Sequence, residues 1–338
     1  MPDTWNVAAR VFESEDSPWV CDFVLGQQYR FRKIPARGDD DWHKRASGRT
    51  AAVTRWVGIF QQALASFVGR PYGIVTCFPQ LAMTVGLLKC LMFSRVHVVA
   101  YNFNLGELPS GAKQFLSKLA AKRIDYFVVH SPEEVGRYAR YLGVDESRVI
   151  FVPLQGSVSI GRTENVEDPY ILAMGSAHRD YQTLMHALSS IKVAAKIVAS
   201  EEILRNLPAL PNVTTHHNLS QVQCLELLAG ARLSVVPISN MSTASGQVTI
   251  VNSMHLGVPV IATRSPGTAG YVEDGVTGLL VEPFSSQSLQ SAINELWFDE
   301  AKRRHLSEKG RQFATERLSD TSAAHALTDI LRRVSQYE

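Results

Sequence analysis

The 338-residue sequence has only four cysteines, Cys21, Cys77, Cys90 and Cys224, and no C-x-x-C pair among them. That scatter excludes a disulfide framework or a structural zinc site and predicts reduced thiols in a cytoplasmic protein. Long apolar runs are also missing. The most apolar region, residues 73–101, is interrupted by Pro79, Gln80, Lys89 and Arg95 before about 20 clean residues accumulate, so buried strands and a helix account for it better than a membrane span. The N-terminus, MPDTWNVAARVFESEDSPW, has no basic segment followed by an apolar one, and no secretory signal is expected. Charge of one sign is scarce as well. With 34 basic and 32 acidic residues the net charge is +2, far from a nucleic-acid-binding profile. Short-period repeats and low complexity are absent. The run Asp39–Asp41 reads as a solvated loop, and His216 and His217 would point opposite ways in an extended segment, so no metal is expected.

What is present is an ordinary globular composition, 45% hydrophobic and 20% charged, over a length that suits about two domains. From residue 71 short apolar runs alternate with longer amphipathic ones. GIVTCF (73–78), VHVVAYNF (96–103), YFVVHS (126–131) and VIFVP (149–153) read as buried strands, separated by helices at 80–93, 110–123 and 132–142. Residues 1–70 predict a helix at 50–68 preceded by a polar loop, FRKIPARGDDDWHKRASGR. The alternation stops at SVSIGRTENVEDP (157–169) and restarts with YILAMG (170–175), KIVAS (196–200), RLSVVP (232–237) and PVIAT (259–263). Helices are expected near 180–190, 220–230 and 247–256, then at 286–298 and 299–334. Continuous apolar strands linked by helices imply parallel sheets covered on both faces. The fold class is therefore α/β, two doubly wound Rossmann-like domains with a ligand cleft expected between them. The expected division is 1–156 as one domain, 157–169 as a linker, 170–320 as the second domain, and 321–338 as a C-terminal helix packing back on the first.

The densest chemical signal is ASGQVTIVNSMHLGVPVIATRSPGTAGYVEDGVTGLLVEP, residues 244–283. Ser245 and Gly246 form a small turn before an apolar helix, so the amides of Gln247, Val248 and Thr249 sit at a helix N-terminus, where they can bind phosphate. Alternatively, Ser245 only caps the helix. A second element, MGSAHRDYQTL (174–184), places Gly175, Ser176, His178 and Arg179 in a loop between strand and helix. A guanidinium there can grip phosphate oxygens in a fork or pair with Asp180.

The segments MHLGVPVIAT, SPGTAGYVEDG and VTGLLVEP, in that order, resemble the donor-binding domain of the retaining glycosyltransferases of family four, which have the GT-B fold. The likeness extends over about residues 95–335. It implies transfer of a sugar from a UDP- or GDP-sugar to an acceptor hydroxyl, with retention of anomeric configuration and no further cofactor or metal required. By the same resemblance the Ser245–Gly246–Gln247 turn and the amides of Val248 and Thr249 would hold the donor, and Arg179 would contact the leaving phosphate. Asn252 stands where the family's second glutamate grips the ribose, Ala244 where its first carboxylate lies, and Gly270 where an acidic residue often follows the glycine loop. Ser176 falls near the position of a usual arginine, and His217 in the loop beside the base. In the N-terminal half, Asn102 or Asn104 takes the neighbourhood of a family histidine near the reacting sugar, and His130 ends another strand. The missing carboxylates keep a non-catalytic sugar-nucleotide-binding paralogue in play, and the architecture a nucleotide-sugar epimerase.

The net +2 hides an asymmetry. Residues 1–155 carry 19 basic and 14 acidic side chains, and the remainder 15 and 18. The excess of Arg30, Arg32, Lys33, Arg37, Lys44, Arg45, Arg49 and Arg55 over Asp39–Asp41 fits either a solvated face or docking to an anionic membrane surface or a lipid-linked phosphate acceptor. The expected partners are accordingly the donor, an acceptor glycan, lipid-linked or small molecule, and peripheral contact with the membrane inner face.

Overall fold

The computed structural model describes residues 2–36 and 49–336. Asp39–Asp41, Arg37, Lys44 and Arg45 lie outside the described residues. The chain divides into two compact units, one of residues 1–152 and 324–338, the other of residues 153–323.

In the first unit, β1 (Asp3–Ala8), β2 (Tyr29–Ile34), α1 (Arg49–Ala65), β3 (Gly73–Cys77) and α2 (Pro79–Leu91) come first. They are followed by β4 (His97–Tyr101), α3 (Ala112–Ala121), β5 (Tyr126–Val129), α4 (Pro132–Leu142) and β6 (Val149–Phe151). The six strands form one parallel sheet in the order β2-β1-β3-β4-β5-β6. Residues 31–34 are thus an edge strand, not the polar loop the composition suggested. Tyr29 and Ile34 are buried, whereas Arg30 and Arg32 are exposed. Lys33 is no surface cation either. It is buried, and its Nζ donates to Asp22 Oδ2 and to Ser17 O, both at 2.7 Å. Register beside β1 is set by shape: Trp5 lies opposite Gly73, and a Cβ there would sit 2.3 Å from the indole.

The second unit holds β7 (Ile171–Met174), α5 (Tyr181–Ser189), β8 (Ala195–Val198), α6 (Glu201–Leu204), β9 (Val213–His216) and α7 (Gln221–Gly230). Then come β10 (Leu233–Val236), α8 (Gln247–Leu256), β11 (Val260–Thr263), β12 (Leu279–Val281), α9 (Ser286–Phe298) and α10 (Glu300–Arg317). Its parallel sheet runs β12-β11-β10-β7-β8-β9. Residues 157–169 pack on this unit: Thr163 N donates to Ala229 O, Asn165 N to Gly230 O, and Glu164 pairs with Arg162 and Arg232. The last helix, α11 (Asp320–Ser335), is separate from α10, and from Ala324 onward it belongs to the first unit.

Both sheets are doubly wound, with the α/β two-domain architecture of GT-B proteins. From β7 the chain builds outward through β8 and β9, then crosses back to lay β10, β11 and β12 on the other side. The order therefore reverses between β7 and β10, and loops leaving neighbouring strands there diverge and open a crevice for ligands.

Candidate functional site

At that reversal β7 ends in Met174 and the chain turns at Gly175, with φ of 114°. A Cβ on Gly175 would lie 2.6 Å from Arg179 Nη2, so the bare backbone lets the guanidinium fold over the turn. Arg179 Nε donates to Met174 O at 3.1 Å, Nη1 to Ala177 O at 2.8 Å and Nη2 to Thr249 Oγ1 at 3.4 Å. Asp180, its sequence neighbour, instead caps α5 by accepting from Thr183 N at 3.1 Å. Among the described residues no carboxylate pairs with Arg179. Burial pulls its pKa below the ordinary value, opposed by the Tyr181 hydroxyl. A cation half out of water and surrounded by neutral groups is a receptor for an anion.

Thr249 is the third residue of α8, so the Arg179 contact joins the loop after β7 to that helix's first turn. Serine or aspartate oxygens cap α4, α5, α7, α9 and α10. The N-cap of α8 is Gly246, at φ of 92°, with no side-chain oxygen. A Cβ on Gly246 would crowd Ile238 at 2.9 Å and Val236 at 3.1 Å. The first helical bond, Ile250 N to Gly246 O at 3.1 Å, involves none of the amides of residues 247–249. The positive end of the helix dipole and the Arg179 charge thus meet on one small region.

Ser245 does not cap the helix. Its hydroxyl is buried and has no partner, and the same is true of Ser265 in the loop after β11. Gly267 in that loop lies against the Ser245 backbone so closely that a Cβ would fall 1.9 Å from the Ser245 carbonyl oxygen. Two orphaned hydroxyls beside an uncapped helix start are groups a bound ligand can satisfy. Ser245→Ala should leave the melting temperature unchanged or slightly raised. It should weaken binding of a phosphate-bearing ligand at this turn by about three- to tenfold, read by titration calorimetry, as expected for one lost hydrogen bond.

The remaining positions are distributed as follows. Ser176 ties the turn to the start of α6, its Oγ accepting from Ser200 N at 2.9 Å. His178, at φ of 55°, is exposed, with Nδ1 3.4 Å from Asn240 Nδ2. Gln247 and Thr249 are buried, whereas Val248 is 63% exposed and offers only its backbone. Asn252 is half-buried on α8, and a Cβ on Gly156 would lie 3.5 Å from its Oδ1. Ala244 is buried, and Gly270 takes φ of 80°. His217 is exposed just after β9, an edge strand two places from β7. His216 ends that strand, and burial together with Lys196 lowers its pKa. Among the described residues no group of His, Cys, Asp and Glu is placed to hold a metal ion.

In the first unit, Asn102 follows β4 at φ of 51°. His130 lies with Nδ1 2.7 Å from Val152 O and Nε2 2.7 Å from Asn102 Oδ1. Burial pulls His130 down to about 4, so the ring is neutral at pH 7. A neutral ring carries one proton, donated either from Nδ1 to the Val152 carbonyl or from Nε2 to Asn102 Oδ1. Asn104 is engaged locally: its Oδ1 accepts from Gly106 N at 2.8 Å and from Tyr138 OH at 3.4 Å. Because an unfolded histidine takes up its proton near pH 6.5 and folded His130 only near 4, acid favours the unfolded chain. Stability should fall by roughly 2 kcal/mol from pH 7 to pH 5. His130→Gln should flatten that part of the denaturant-unfolding profile.

Residues 199–313 match the glycosyl transferases group 1. This group 1 region contains the Ser245–Thr249 turn and Gly267, while Arg179 precedes it. An uncharacterized glycosyltransferase of Methanocaldococcus jannaschii is 30% identical over 138 residues, 39% of this chain and 38% of that protein. A D-inositol 3-phosphate glycosyltransferase of Corynebacterium kroppenstedtii is 25% identical over 192 residues, covering 54% and 42%. Each match thus spans about two fifths of the relative's length. Among solved structures, sucrose-phosphate synthase from Thermosynechococcus elongatus superposes with a TM-score of 0.74 at 15% identity, covering 99% of this chain and 100% of that one. Anabaena HepE in complex with UDP and glucose gives 0.67 at 14% identity, covering 98% and 100%. The group 1 match covers residues 199–313, and the solved structures share the fold of the chain.

Proposed function

We propose that this chain transfers a sugar from a nucleoside diphosphate to an acceptor hydroxyl, with retention at the anomeric carbon. The observation that carries the reading is the Arg179 guanidinium, without a carboxylate among the described residues and bonded to Thr249 in the first turn of α8. In such a reaction the bond from the anomeric carbon to the diphosphate breaks and negative charge grows on the β-phosphate. Arg179, the amides of Gln247, Val248 and Thr249, and the α8 dipole supply fixed positive potential where that charge develops. The acceptor oxygen bonds to the anomeric carbon on the face the phosphate leaves, and its proton passes to the departing phosphate oxygen. No enzymic nucleophile is then required, which fits a site with alanine at 244 and asparagine at 252.

Asn252 retains one donor and one acceptor for a ribose hydroxyl, and Ser245 and Gly246 border the diphosphate. UDP in HepE, a protein of the same fold, makes UDP-sugars the first donors to test, with GDP-sugars next. The deciding experiment incubates the protein with a panel of nucleotide sugars and glycan, lipid-linked and small-molecule acceptors, with products identified by mass spectrometry. Nucleoside diphosphate released only with acceptor, and an α-linked product from an α-linked donor, are expected. Isomerised donor without acceptor would instead identify an epimerase, and binding without turnover a non-catalytic protein.

A further inference from the structure

The helical layer on the first unit's sheet has an unusual outer face. α1, α2 and α3 lie side by side and bury their inner residues in one core, with Ile59, Ala63, Leu81, Val85, Leu88 and Ala121 among its members. Their outward residues should be polar on an ordinary water-facing layer. On α1, however, Trp56 is 55% exposed and Phe60 48%, flanked along the same face by Val53 and Leu64. On α2 the outer line starts with the polar Gln80 and Thr84 and turns apolar toward its end, and the helix's one charged residue, Lys89, is paired with Asp125 at 3.6 Å. Met83 and Leu87 on its outer line are half-exposed, and Leu91 is exposed. Phe93, just beyond α2, is 90% exposed, and Phe115 on α3 69%. An apolar face of this extent calls for a cover.

Charge identifies the cover. Between Arg49 and Ile124 the sequence has nine lysines and arginines and a single carboxylate, Glu107. Arg70, Arg95, Lys113, Lys118, Lys122 and Arg123 are exposed, and among the described residues none pairs with a carboxylate. Apolar side chains set among unneutralised cations match a surface that is anionic outside and hydrocarbon within. None of these helices is long and apolar enough to cross a membrane.

We propose that the outer face of α1, α2 and α3 docks the protein onto an anionic lipid bilayer, lying on it with Trp56, Phe60 and Phe115 in the interface and the cations against the headgroups. This surface overlaps the basic stretch 30–55 that composition singles out only at the start of α1, and it stands independently of the donor-site reading.

Flotation of the full chain with phosphatidylglycerol–phosphatidylcholine vesicles and with pure phosphatidylcholine vesicles tests it. Binding to the anionic vesicles should be at least about tenfold stronger and should weaken as salt rises. Lys113→Glu with Lys118→Glu should reduce binding by about tenfold or more, each cation near such a surface contributing about fivefold. Trp56→Ser with Phe60→Ser should reduce it comparably, while the melting temperature and turnover with a water-soluble acceptor stay at wild-type values. Brominated lipid should quench tryptophan emission in the wild type and much less in Trp56→Phe. Equal binding to both vesicles, or none, overturns the proposal. A concentration-dependent dimer in light scattering, lost in the Trp56/Phe60 variant, overturns it in favour of a second copy of the chain. Failure of vesicle binding with sugar transfer intact removes the docking surface alone.

Discussion

Arg179→Ala is expected to lower the rate of sugar transfer by about 10²–10³-fold, the usual effect of deleting one fixed donor from a developing anion. Its folding stability should stay within about 1 kcal/mol of the wild type. The bonds lost to Met174, Ala177 and Thr249 are offset by no longer holding an unpaired charge out of water. Arg179→Lys keeps the charge without the planar fork and should fall between the two, on the order of tenfold below wild type. The combination matters more than either number. A residue kept for structure would lower the melting temperature when removed, and one kept for the reaction would not. Steady-state kinetics alongside thermal melts separates the cases, and near-wild-type turnover in Arg179→Ala would sink the phosphate assignment.

Gly267→Ala should be damaging in another way. The added carbon would fall 1.9 Å from the Ser245 carbonyl oxygen and 2.6 Å from its nitrogen, and both are backbone atoms that cannot rotate aside. One of two chain segments must move. A loss of about 3 kcal/mol is expected from overpacking alone. The segment displaced is the turn that presents Gly246 and the α8 amides, so donor binding should disappear even in the folded fraction. Gly275→Ala is the control: its φ of 75° strains an alanine, but open space surrounds the position. It should cost only about 1 kcal/mol and leave donor affinity unchanged. Denaturant unfolding and calorimetry on the pair distinguish crowding from simple loss of a glycine.

Most strands of both sheets could be read from the sequence because a buried parallel strand leaves a continuous apolar run, as ILAM, LSVV and VIAT do. β1 and β2 could not. β2 reads Tyr-Arg-Phe-Arg-Lys-Ile, an alternation that edge strands adopt, but its three cations and the acidic residues beyond it resemble a polar loop. Lys33 counts among the surface cations in the sequence because nothing in its surroundings announces Asp22, eleven residues earlier, as its partner. β9 escaped notice for a related reason: VTTH at a sheet edge has one apolar residue. The site shows the same boundary. Glycines at 175 and 246 mark turns in any sequence, and the helix start at Gln247 follows from them. The bond from Arg179 to Thr249 spans 70 residues and depends on two strands being laid down side by side, which no local pattern encodes. The roles of Ser265 and Gly267 are also tertiary. Their only local trace is the glycine-containing loop SPGTAG after β11.

The assignment of Ala324–Glu338 to the first unit has a consequence for how the molecule is made. Ala324, Leu327, Leu331 and Val334 of α11 are buried, and Arg332 and Ser335 share a surface recess with Asp3 and Tyr29. On the ribosome, the 153–323 unit has all its parts while the unit begun first still lacks its final helix. The domain translated first is therefore the last to close. A stop codon or fusion joint placed shortly after residue 323 would spare the 153–323 unit and instead strip a buried helix from the unit whose strands precede it in the chain.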